Sequence, residues 1–134
     1  MVPTRRVLPL ALLAGLGCST ILAAYTPSPP PKKRTVYSPN GEFAAKIIPG
    51  DPGSGRSARA RFFAANERGR LDRLAEFPLL NDLAPFVVLV SDDGRWLVTL
   101  DEWDHFGGHA VVIYHSTGTV VRSLARKDLL IEEG

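Results

Sequence analysis

The feature that most constrains this chain is a pattern written twice. Tyr37-Ser38-Pro39-Asn40-Gly41-Glu42-Phe43-Ala44-Ala45-Lys46-Ile47 aligns with Val90-Ser91-Asp92-Asp93-Gly94-Arg95-Trp96-Leu97-Val98-Thr99-Leu100 at an offset of 53 residues. In each copy a serine opens a turn, a glycine closes it, and a strand-like run follows. Glycine late in the turn supplies the positive φ that tight hairpins need. Phe43, Ala45 and Ile47 match Trp96, Val98 and Leu100, and period-2 spacing puts each trio on one face of a strand. Lys46 and Thr99 then take the opposite face, which is expected to be half exposed.

A second hairpin recurs in each copy. Ala60-Arg61-Phe62-Phe63-Ala64-Ala65 turns at Asn66–Gly69 into Arg70-Leu71-Asp72-Arg73-Leu74. Ala110-Val111-Val112-Ile113-Tyr114-His115 turns at Ser116–Gly118 into Thr119-Val120-Val121-Arg122-Ser123-Leu124. Each unit therefore reads as about four short antiparallel strands, repeat 1 over about 35–80 and repeat 2 over about 84–131. The predicted fold class is all-β. Two propeller-blade-like units pack as a sandwich, or they form a partial propeller that a partner chain completes. Two units do not close a propeller, which typically takes about 4 to 8 blades.

Ser38-Pro39-Asn40-Gly41-Glu42-Phe43 resembles the Ser-Pro-Asp-Gly core of the TolB-type, WD40-like β-propeller repeat. Ser91-Asp92-Asp93-Gly94-Arg95-Trp96 is a variant with Asp in place of Pro. The likeness covers about ten residues per copy and implies a turn and a strand, without catalytic residues. The whole chain also resembles small exported bacterial proteins of unassigned function, which implies export and a β fold rather than an activity.

The N-terminus reads as an export signal. Met1–Arg6 is short and basic, and Val7–Ala24 is apolar or small without a charge. That is the layout of a secretory signal, and at 18 residues the run falls short of the ~20 that a permanent span needs. Gly15-Leu16-Gly17-Cys18 resembles the lipobox of bacterial lipoproteins, which implies acylation of Cys18. Gly17 fits that pattern, whereas Gly15 and Leu16 depart from it. Cleavage near Ala24 with loss of Cys18 is the alternative. Residues 25–34, with Pro27, Pro29, Pro30 and Pro31, read as an extended polyproline linker, leaving 35–134 as a single β domain. The expected location is the periplasm or cell envelope, with membrane attachment through the N-terminus if Cys18 is lipidated.

Charge narrows the partners. The formal net charge is +2, and it comes from Arg5 and Arg6. From Tyr25 onward 14 basic and 14 acidic residues cancel, which argues against nucleic acid. Residues 25–75 nevertheless carry +6 and residues 76–134 carry −6; either these are two solvated surfaces that differ by chance, or the two halves attract, within one chain or between copies. No cysteine follows Cys18, so stability rests on apolar burial and strand pairing.

One loop gathers chemistry. Asp101-Glu102-Trp103-Asp104-His105-Phe106-Gly107-Gly108-His109 holds three carboxylates, two imidazoles and two aromatic rings. Asp101, Asp104, His105 and His109 are the candidate metal ligands, although their spacing matches no defined motif. Trp103 and Phe106 are the candidate ligand-stacking residues. The plainer reading has the aromatics capping the sheet while the charges face water. His115-Ser116 lacks a nucleophile elbow, and no motif calls for a cofactor. The leading expectation is a non-enzymatic binding module for a protein or envelope ligand. The rival is a small enzyme or metal-dependent protein built on the 101–109 loop.

Overall fold

A computed structural model describes residues 29–103 and 108–130. Residues 1–28, which include Cys18 and the segment expected to be an export signal, lie outside the described residues, as do Asp104, His105 and Phe106. Strands β1 (Arg34–Tyr37), β2 (Phe43–Ile48), β3 (Arg59–Ala65) and β4 (Leu71–Pro78) form one sheet. Strands β5 (Pro85–Val90), β6 (Trp96–Glu102), β7 (Val111–His115) and β8 (Val120–Leu124) form a second. Both are antiparallel, with strands in chain order from edge to edge. A short helix α1 (Arg126–Leu129) ends the described chain, and the Asp128 carboxylate accepts the Ala125 N–H at 2.8 Å. Leu129 and Leu130 are both exposed.

The duplicated turns are built alike, bond for bond. The Ser38 hydroxyl donates to Asn40 Oδ1 and the Ser91 hydroxyl to Asp93 Oδ1, each at 2.7 Å. Each serine oxygen in turn accepts the N–H five residues on, from Phe43 at 3.0 Å and Trp96 at 2.9 Å. The Asn40 and Asp93 side chains each also accept the N–H two residues on, at 3.0 Å. Short polar side chains thus satisfy backbone donors that the turn strands. Gly41 and Gly94 sit at φ +75 and +71, a region that Cβ-bearing residues avoid. The two turns also touch: Asn40 N–H donates to Asp92 Oδ1 at 2.8 Å. The second hairpins match too, each with a register break in the same place, at Phe62/Phe63 and at Ile113/Tyr114.

Register assigns the faces. In the first sheet the rows Val36–Ala45–Phe62–Ala75 and Arg34–Ile47–Ala60–Phe77 share one side, here the front. The back carries Thr35–Lys46–Arg61–Glu76. In the second sheet the equivalent front rows are Leu89–Val98–Ile113–Arg122 and Val87–Leu100–Val111–Leu124. Its back carries Val88–Thr99–Val112–Ser123 and Val90–Leu97–Tyr114–Val120. The buried cluster joins Ala45, Ile47, Ala60, Phe62 and Phe77 to Val88, Val90, Leu97, Val112 and Tyr114. The sheets therefore stack front to back. Phe77 meets Tyr114 with ring centroids 5.8 Å apart, and a Cβ on Gly94 would overlap the Phe43 ring.

This stacking corrects the sequence reading of β6. Trp96, Val98 and Leu100 do not share the core with Phe43, Ala45 and Ile47; they lie on the far side of the second sheet. Thr99, expected to be half exposed, is fully buried. The reason is that β6 carries apolar groups on both faces, Leu97 opposing Trp96 and Val98, so alternation alone cannot choose between them.

Candidate functional site

The 101–109 loop begins where β6 breaks its geometry. Asp101 has φ 57, the only non-glycine residue at positive φ among those described. Aspartate tolerates this left-handed conformation better than most side chains do. Its N–H donates to Ala110 O at 3.0 Å, and its carbonyl accepts from Asn81 Nδ2 at 3.2 Å. The kink turns the next residue toward the segment that joins the two sheets.

That residue is Glu102, and its carboxylate acts as a clamp. Oε1 accepts the N–H groups of Leu83 at 2.7 Å and Ala84 at 3.2 Å, and Oε2 accepts Asn81 Nδ2 at 2.7 Å. Asn81 is fully buried. Charge-assisted bonds of this kind contribute about 1.5–3 kcal/mol each. The joining segment is held from three further sides. Leu79 N–H donates to Ala58 O at 2.8 Å, Gly50 N–H to Leu83 O at 2.7 Å, and Leu80 N–H to the Tyr114 hydroxyl at 2.8 Å. Burial pushes the Tyr114 phenol up from its ordinary value. Glu102 was not singled out by sequence reasoning, and its signal was only a carboxylate beside a strand end.

Trp103 points to the proline segment. Its N–H donates to Ala84 O at 2.8 Å, and its indole Nε1–H donates to Pro29 O at 3.1 Å. Its ring lies 5.6 Å from that of Phe86. Prolines lack N–H groups but keep free carbonyls, so this segment suits an indole donor. Around these groups is a cleft of about 320 Å³, lined by Pro29, Pro31, Lys33, Arg34, Pro85 and Trp103. Arg34 closes it, donating to Pro85 O at 2.8 Å and Phe86 O at 2.9 Å, and partial burial lowers its pKa. Trp103 thus packs against the chain itself.

A second cleft, of about 460 Å³, is lined by Pro52, Asp82, Leu83, Glu102, Gly108 and His109. His109 thus lines a cleft with Asp82 and Glu102, whereas the sequence groups it with Asp101, Asp104 and His105. His109 Nδ1 lies 3.4 Å from Ser123 Oγ. Among the described residues no three His, Cys, Asp or Glu side chains converge as a metal site would require. His115 Nδ1 faces the Thr117 hydroxyl at 2.8 Å, inside its own turn and away from both clefts.

No protein-family model matches the chain, and neither does any curated protein or solved structure. Among the described residues no helix is long and apolar enough to cross a membrane.

Proposed function

We propose that the chain is an exported cell-envelope protein that works as a non-enzymatic binding module, built from two degenerate repeats of the TolB-type, WD40-like kind. The observation that carries this is the state of Glu102. It lines the same cleft as His109, and three donors already occupy its two oxygens. A general base must be free to take a substrate proton; three of the roughly four acceptor sites of this carboxylate already tie the joining segment to the end of β6. Sheets with variable loops present surfaces far more readily than they perform chemistry. The basic, then apolar N-terminus supports export, and Gly17-Cys18 supports a lipid tether that the proline segment would hold off the membrane.

Zinc, calcium or manganese added while Trp fluorescence is followed tests the binding-module reading. It predicts no saturable change. A saturable response that Asp104→Ala and His105→Ala abolish would favour a metal-dependent protein instead. Mass spectrometry of the mature N-terminus tests how the signal is processed: acylated Cys18 means a membrane tether, a start near Tyr25 a soluble secreted domain, and an intact Met1 an uncleaved anchor.

A further inference from the structure

We infer that the back of the first sheet docks on an anionic lipid surface. This rests on the binding-module reading and names its ligand class. The rows Thr35–Lys46–Arg61–Glu76 and Tyr37–Ala44–Phe63–Arg73 lie on that side, with Arg59 beside them between Ile48 and Pro78. Four cations share the face, and Glu76 is the only carboxylate in those rows. Arg61 and Arg73 stand 3.3 Å and Arg59 3.4 Å from it. A surplus of three positive charges is left over. Exposed ion pairs add little to stability, so folding gives no reason to gather three arginines around one glutamate. Lys32 and Lys33, both exposed, lead directly into β1 at the edge of the same sheet.

The groups between the charges say what kind of anion fits. Tyr37 is 55% exposed, and Phe63 beside it is half-buried. Leu74, which the β-bulge leaves unpaired on the outer strand β4, is 59% exposed. Tyrosine favours the membrane–water boundary, with its ring among headgroups and its hydroxyl in water. Arginine lays its stem along apolar surface while its guanidinium reaches a phosphate, whose geometry it matches. Duplex nucleic acid also offers phosphates, but its groove is entered by a helix or a two-stranded ribbon, and this face is the open side of a four-stranded sheet. From Tyr25 onward the charges also cancel, which leaves no overall pull toward a nucleic acid.

The fold turns the charge imbalance of the sequence into a polarity in space. Residues 25–75 carry +6 and residues 76–134 carry −6, and the first sheet turns its back away from the second. An anionic surface therefore attracts the first sheet and repels the second unit, which selects one orientation. The chain enters the domain through β1, at the edge of the attracted sheet.

Quenching by vesicles with brominated acyl chains tests this on the chain as processed by the cells that make it, carrying Tyr37→Trp. Tyr37 is exposed, so an indole there needs no repacking. The unsubstituted chain, whose Trp96 and Trp103 belong to the second unit, gives the baseline. The added indole should be quenched when the vesicles contain phosphatidylglycerol and not when they are phosphatidylcholine alone. Arg61→Ala should weaken docking about fivefold, the effect of ~1 kcal/mol per cation near an anionic surface. Glu76→Gln should strengthen it by a similar factor, a gain that a merely structural carboxylate would not give. Raising the salt from ~0.1 to ~1 M cuts the screening length from about 10 to about 3 Å and should release the face. Arg122→Ala, on the second sheet, should change nothing. The inference is overturned by no added quenching with phosphatidylglycerol, by equal quenching on neutral vesicles, or by docking that salt leaves intact. Weaker docking with Glu76→Gln, or equally tight binding of duplex DNA, overturns it too. Each of these leaves the binding-module reading standing, because the metal titration of the 101–109 loop tests that reading separately.

Discussion

The two sheets share a backbone plan down to single hydrogen bonds, and they differ in what their equivalent faces meet. On the back of the first sheet, the row Thr35–Lys46–Arg61–Glu76 is solvated. Glu76 there draws Arg61 at 3.3 Å, Arg59 at 3.4 Å and Arg73 at 3.3 Å. The hydrogen bond from Arg61 is the main reason its carboxyl sits below the usual range. Exposed pairs of this kind contribute little to stability. The equivalent row of the second sheet, Val88–Thr99–Val112–Ser123, lies against the first sheet, and its first three residues are buried. Turn chemistry and strand pairing are thus local properties, repeated wherever the pattern recurs. Which face becomes core depends on position in the stack, because the first sheet meets its neighbour with its front and the second meets it with its back.

The largest test of this contrast is a pair of equivalent positions. Phe62 and Ile113 occupy the same place in their front rows, yet Phe62 is fully buried and Ile113 lies on the open face. Phe62→Ala should cost about 3–5 kcal/mol in urea denaturation, as large-to-small changes in a core do. Ile113→Ala should cost under about 1 kcal/mol in the monomer. Equal losses would break the comparison.

The paired turn glycines sharpen it next. Gly41→Ala forces a Cβ into left-handed backbone and should cost about 1–2 kcal/mol. Gly94→Ala adds an overlap with the Phe43 ring and should cost about 1–3 kcal/mol more, the usual cost of overpacking.

Glu102 has no counterpart in the first repeat, where the chain runs through Pro49 and Gly50 instead. Glu102→Gln keeps the shape and loses the charge, so it should cost about 1.5–3 kcal/mol. Hydrogen exchange should quicken first at Leu83 and Ala84, the two amides it binds, and later in either sheet.

The smallest effect separates the turns by pH. Asp93 takes the place that Asn40 holds in the first copy. The Ser91 hydroxyl, and then the Arg95 N–H, hold its carboxyl below the ordinary aspartate value. A depressed folded value means the bonds stabilise the ionised form. Their contribution is present above the unfolded pKa of about 3.9 and is lost as pH falls through the lower folded one. NMR titration should show Asp93 below that reference and Ser91→Ala returning it upward. The Ser38–Asn40 turn should show no such step, since an amide does not titrate there.

Much of the fold is legible in the sequence, and the reasons are local. Serine, glycine and period-2 spacing fix both turns, the hairpins and the four-strand units. Two things escape it. The strand β6 is apolar on both sides, so its facing waits on which sheet arrives and from where. The clamp at Glu102 depends on residues 81–84 passing within reach of a strand end, a long-range meeting that leaves no spacing rule. For the same reason loop spacing groups His109 with Asp101, Asp104 and His105, whereas in the structure it lines a cleft with Asp82, and the reach of Trp103 to Pro29 spans most of the domain.

Front-to-back stacking is tested most directly by nuclear Overhauser contacts within the monomer. The account predicts cross-peaks from the Phe43 ring to Gly94 and from the Phe77 ring to Tyr114. Cross-peaks from Phe62 to Val98 and Ile113, which would place the two equivalent faces against each other, would contradict it.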